Sequence, residues 1–137
     1  MYQTGIHQAL NQYRSGVLAE ANEANPHRLI QMLFEGALER IATARGAMQQ
    51  GDVSNKGERI SRAIEIIEGL RAHLDMDKGG EVAANLESLY EYMTRRLTEA
   101  NLRNDVAMLD EVANLLREVK VGWDAIPPQQ GAKGDRG

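Results

Sequence analysis

The amino-acid sequence predicts an all-α protein: an antiparallel up-down four-helix bundle with a short N-terminal helical segment ahead of it. Three observations lead there. Prolines occur only at 26, 127 and 128, so the long interval between them is free of the strongest helix breaker. The chain of 137 residues holds one Phe and one Trp, which leaves Leu, Ile, Val, Met and Ala to build the core, as in helical bundles. Finally, apolar residues recur at three- and four-residue steps in four separate segments, the period of one helix face.

The first helix starts at "NPHRLIQMLFEG". Asn25 is suited to cap it, and Pro26 fits the first helical position, where a missing N–H has no partner to lose. Ile30, Leu33, Phe34, Ala37, Ile41, Ala44 and Met48 then form one stripe, which Gly51 and Asp52 end. The second helix runs from about Ser54 to Leu74, with Ile60, Ile64, Ile67 and Leu74 in line. "DMDKGGE" breaks the pattern, and the third helix follows from about Glu81 through Val82, Leu86, Leu89, Tyr90, Met93, Leu97 and Ala100. Asn101-Leu102-Arg103-Asn104-Asp105 poses a choice between one very long helix and a corner. A helix of that combined length would project far beyond so small a bundle, so the sequence predicts a corner near Arg103, with Asn104 capping the fourth helix and Asp105 in its first turn. Val106, Leu109, Val112, Leu116, Val119 and Trp123 make the fourth stripe.

The chain divides accordingly. Residues 1–24 are expected to form a mobile N-terminal segment in which Ile6, Leu10 and Tyr13 share a helical spacing, residues 25–126 the bundle, and the Pro-, Gly- and Gln-rich residues 127–137 a disordered tail. Twenty acidic against 16 basic residues give a net charge of −4, which disfavours nucleic acid as a partner. There is no cysteine, hence neither a disulfide scaffold nor a thiolate metal site. Without a signal-like apolar run or a membrane-length one, the sequence reads as cytoplasmic, with no membrane insertion.

Catalytic chemistry is not in evidence. His7, His27 and His73 are scattered and read as solvated. "DMDKGGE" lacks the later oxygen ligands of a calcium loop, and no Glu-x-x-His pair suggests a bundle metal site. Arg95 and Arg96 sit near Glu91 and Glu99 and read as a salt-bridged face. The expectation is a non-enzyme without cofactor or metal. What stands out is apolar width. The second helix carries Ala63, Ile66 and Leu70 beside its main stripe, and the fourth carries Met108 and Leu115 beside its own. Two readings are open: a broad core face, or a groove for a partner's helix that the N-terminal segment could also cover.

Specific stretches then resemble a known family. "YRSGVLAEANEANPHRLIQMLFEGALERI", "LDMDKGGEVAANLESLYEYMTRRLTEANLRND" and "LDEVANLLREVKVGWDAI" are similar to the FliS family of flagellar secretion chaperones over about residues 9–126. The family usually has Ser or Thr within the stretch that here reads Asn22 to Asn25, and commonly Tyr in place of Phe34. The resemblance implies an antiparallel four-helix bundle that binds the disordered C-terminal segment of flagellin, which folds as it binds. Such binding prevents premature polymerisation and keeps flagellin competent for export. It also implies contact with a component of the flagellar export gate, and an N-terminal lid, with Tyr13 at a characteristic tyrosine position. The candidate partner-binding residues are Ile6, Leu10, Tyr13, Ala63, Ile66, Leu70, Met108 and Leu115, on a monomer or weak dimer. The alternative is a structural bundle that self-associates through its spare stripes.

Overall fold

In the computed structural model, which describes residues 26–127, four helices follow one another: α1 (Pro26–Gln49), α2 (Val53–Ala72), α3 (Met76–Arg103) and α4 (Val106–Ala125). Each packs on its neighbour in sequence, and α4 closes back on α1. Cross-links between helices fix the directions. The start of α1 meets the end of α4 through His27 and Trp123, and its end meets the start of α4 through Arg45 and Asp110. The end of α2 meets the start of α3 through Arg71 and Glu87, and the start of α2 meets the end of α3 through Lys56 and Asn101. The arrangement is the expected antiparallel up-down bundle.

The core runs along the bundle axis. Phe34, Ile41, Ile60, Ile67, Met93, Leu97, Leu109, Val112 and Leu116 are all essentially enclosed. Each is worth roughly 1.5–3 kcal/mol of burial. The ion pairs between helices, such as Arg45–Asp110 with side chains 41 % and 45 % exposed, are screened by water and add little beside that burial. Apolar packing therefore holds the bundle, and the ion pairs dress its surface.

The broad stripes prove to be core. Ala63, Ile66, Leu70 and Met108 are all buried, at 0 %, 3 %, 2 % and 7 % exposure. Ile64, on the stripe expected to face inward, is only half-buried. The reading of Ala63, Ile66 and Met108 as a free groove is corrected accordingly: α2 and α4 each pack against both α1 and α3, which takes a wider apolar face than a single seam requires. Val82 likewise is 67 % exposed, and Ala83 takes the inward place.

The three junctions refine the expected helix ends. Asp52 accepts from the Asn55 N–H to cap α2, and Asp75 accepts from the Lys78 N–H to cap α3. At the corner before α4 the cap is Asp105, whose carboxylate accepts from the N–H groups of Ala107 and Met108. Asn104 is not that cap. Its left-handed backbone (φ 54°, ψ 49°) ends α3 instead, a conformation that Asn tolerates better than most residues and that an N-cap does not use. Lys56, only 8 % exposed, donates from Nζ to the Asn101 carbonyl and to Asn104 Oδ1, and so brings a cation to the negative end of α3.

The glycine pair expected to break the chain sits inside the first turns of α3. Gly80 is non-helical (φ 55°, ψ −128°) and kinks the helix. At Gly79 a Cβ would come within 2.6 Å of the Ala83 Cβ, so only glycine allows that approach. Asn25, expected to cap α1, residues 1–24 and the tail beyond Pro127 lie outside the described residues.

Candidate functional site

From Met76 to Leu89 the only buried residue is Ala83. The kink at Gly80 and the exposed turns after it leave this half of α3 standing off the core, and a groove opens between it, the start of α1 and the ends of α2 and α4. Its volume is about 380 Å³, within the range of ligand clefts. Phe34 and Tyr90, 1 % and 3 % exposed, form its floor. Ile30, Leu70, Leu74, Leu86, Val119 and Trp123 supply apolar walls, and exposed Val82, His73, Glu118 and Ile126 stand at its edge. An apolar cleft with a few polar groups at the rim suits the apolar face of a peptide better than a charged small molecule.

One wall is clasped in place. His27 and Trp123 stack with ring centroids 4.7 Å apart and 14° between planes. The imidazole Nε2–H donates to the Trp123 carbonyl at 3.0 Å, and the indole Nε1–H donates back to the His27 carbonyl at 3.1 Å. His27 is therefore buried and bonded, which corrects its reading as a solvated side chain. Trp123 is half-buried, one part against His27 and another lining the groove. His73, as expected, is exposed, with Nδ1 donating to the Gly69 carbonyl.

Around the outside, α3 and α4 are joined by polar bonds. Glu111 accepts from the Tyr92 hydroxyl and from Arg96 Nε, and these bonds hold its carboxyl below its ordinary value. Arg96 also bonds Glu99, while Arg95 bonds Glu91, so both arginines belong to the salt-bridged face that the sequence indicated. Among the described residues no three His, Asp or Glu side chains gather as metal ligands, and no helix is long and apolar enough to cross a membrane.

Of the sequence-derived candidates, Leu70 lines the groove. Leu115 is half-buried and packs against the core, and Ala63, Ile66 and Met108 lie inside it. Ile6, Leu10 and Tyr13 lie outside the described residues. Sequence reasoning placed Leu74, Leu86, Tyr90 and Trp123 on core stripes and missed that they share one opening. The signal was available in the glycine pair, which stops α3 from packing at the point where its stripe begins.

Comparison with known proteins agrees with the fold and adds a lineage. The family model described as "Flagellar protein FliS" matches residues 9–130. A flagellar secretion chaperone FliSB of Pseudomonas aeruginosa is 56 % identical over 86 % of this chain and 94 % of its own length. The flagellar secretion chaperones FliS of Salmonella typhimurium and Vibrio cholerae are 52 % and 46 % identical. They cover 77 % and 81 % of this chain and 79 % and 82 % of their own lengths. With a match across nearly the whole chain and a bundle of the expected form, this protein belongs to the FliS family, whose named relatives are flagellar secretion chaperones.

Proposed function

We propose that this protein is a cytoplasmic export chaperone whose groove receives part of the C-terminal segment of flagellin as that segment folds. The apolar cleft of about 380 Å³ beside α3, in a chain of this family, is the observation that carries the reading. Flagellin ends that polymerise must present apolar surface, so an uncovered end in the cytoplasm invites premature assembly. A chaperone that buries it blocks self-association and keeps the chain loose enough for secretion. A segment that orders on binding spends part of its interaction energy on its own ordering, so it needs a large, mostly apolar contact. The groove serves as one anchor in that contact, with Leu70 in its wall and Leu115 on a half-buried flank. Ala63, Ile66 and Met108 support the helices from within.

The N-terminal residues 1–24, with Ile6, Leu10 and Tyr13, act in this reading as a lid that competes for the groove. Any stability the lid gives the closed state is subtracted from the apparent affinity for flagellin. Handover then requires contact with a component of the flagellar export gate. The test is calorimetric titration with a peptide of the flagellin C-terminal segment, with the solution mass measured alongside. One-to-one binding supports the proposal. A stable dimer indifferent to the peptide overturns it in favour of a self-associating structural bundle.

A further inference from the structure

One polar side chain in the groove lining has no partner among the described residues. Tyr90 is 3 % exposed and lies in the groove floor beside Phe34, yet its hydroxyl has no hydrogen-bond partner among the described residues. Tyr92, two residues on, shows the contrast, because its hydroxyl donates to Glu111. The groove's other polar side chains, His73 and Glu118, are exposed and need nothing from an occupant. Among the described residues the buried side-chain atoms left without a partner are Arg40 Nε and Glu65 Oε1, so the Tyr90 hydroxyl still reaches water in the open groove; an occupant that displaces that water must replace its bond or leave the phenol unpaired. Desolvation pushes the Tyr90 phenol up to about 12, so it keeps its proton throughout the neutral range and is available as a donor.

We infer that Tyr90 is a specificity-determining residue of this groove, its hydroxyl donating to an acceptor oxygen brought by the bound segment. This inference rests on the flagellin reading for the identity of that segment. The interior of a helix has no free carbonyl to offer, since each already accepts a bond from the next turn. The acceptor is therefore a side-chain oxygen of Asn, Gln, Ser or Thr on the apolar face, or a carbonyl in the last turn. A wholly apolar helix would fill the groove and leave the phenol unpaired. The groove therefore favours an apolar helix with one polar interruption in register over a uniformly greasy one, which is a way of refusing other unfolded chains.

The experiment compares wild-type protein and Tyr90→Phe, both as full chains. Each is titrated with the flagellin C-terminal peptide and unfolded in urea. The expected result is a dissociation constant raised about twofold to tenfold, the range for one neutral hydrogen bond, with a urea midpoint equal to or above wild type. In a scan of the peptide's Asn, Gln, Ser and Thr residues to Ala, either one position loses its effect in the Tyr90→Phe background, or none has an effect and the acceptor is a backbone carbonyl. Equal affinity of the two proteins overturns the inference while leaving the flagellin reading intact. A lowered urea midpoint also overturns it, because the hydroxyl would then be paired within the chain. If wild-type protein fails to bind the peptide, the flagellin reading falls and takes this inference with it.

Discussion

Replacing His27 with Ala removes two of the three contacts between His27 and Trp123, which clasp the start of α1 to the end of α4 beside the Gln31–Asp124 bond. The Nε2–H bond to the Trp123 carbonyl goes, and so does the stacked ring pair. The third contact, from Trp123 Nε1–H, ends on the His27 backbone carbonyl and survives any substitution there. A neutral hydrogen bond contributes about 0.5–1.5 kcal/mol, and an aromatic pair adds about 0.5–1.5 kcal/mol beyond its burial. His27→Ala should therefore cost about 1–3 kcal/mol, and His27→Phe, which keeps a stacking ring, about 1 kcal/mol. Trp123 is the only tryptophan in the chain, so its fluorescence reports on the clasp directly. The assay is urea unfolding followed by tryptophan emission. His27→Ala should lower the midpoint and shift the native emission to longer wavelength, because a ring that is already half-buried loses its cover. A variant with the wild-type midpoint and emission would refute the clasp and its role in holding a groove wall.

Three other expectations follow from the junctions and the surface. At the corner, Asp105→Ala should cost about 1 kcal/mol as a lost cap. Asn104→Ala should cost about 1–2 kcal/mol because it forces an alanine into the left-handed region; urea melts in which only Asn104→Gly is costly would contradict this. At the α3 kink, Gly80→Ala should destabilise by about 1–3 kcal/mol, since its backbone conformation is essentially reserved for glycine; a neutral melt would mean the kink relaxes freely. Glu111 has its pKa depressed below an ordinary 4.5, first by the Tyr92 bond and then by Arg96. Its contribution is present above the unfolded value and is lost as the pH falls through the lower folded value. Stability measured from pH 6 down to about pH 3 should therefore fall less steeply in Glu111→Gln than in wild type; identical slopes would remove this group from the account.

Most of the fold was legible because helical period is a strong signal. The stripe from Ile30 to Met48 and the stripe from Leu109 to Leu116 needed no tertiary knowledge, and neither did the corner near Arg103. The choice between Asn104 and Asp105 as the cap did need it. Both residue types cap helices, and only the left-handed turn, held by Lys56 from another helix, separates their roles. Lys56 could have been noticed, since it stands four residues before Ile60 on an otherwise apolar stripe. The site was less legible than the fold. Apolar residues look alike in sequence whether they face a core or a cleft. Ala63 and Ile66 were candidates for a partner's groove yet lie in the core, while Leu86 and Trp123 looked like core yet line the opening. Which stripe is left uncovered depends on where α3 kinks relative to α2 and α4, and no local pattern encodes that.

Thiol protection asks whether flagellin's C-terminal segment occupies the groove beside α3. The chain has no cysteine, so a single introduced thiol is an unambiguous probe. Val82, 67 % exposed, stands at the groove's edge, and Val53, 71 % exposed, opens α2 at the other end of the bundle. Leu70 marks the groove end of α2, which puts the two probes roughly 25 Å apart along the bundle. The full-length Val82→Cys and Val53→Cys proteins are each labelled with a thiol reagent, with and without saturating flagellin C-terminal peptide. Val82→Cys should be labelled much more slowly in the complex while Val53→Cys reacts at an unchanged rate. Protection of Val53→Cys alone, or of neither at saturation, would contradict occupation of the groove.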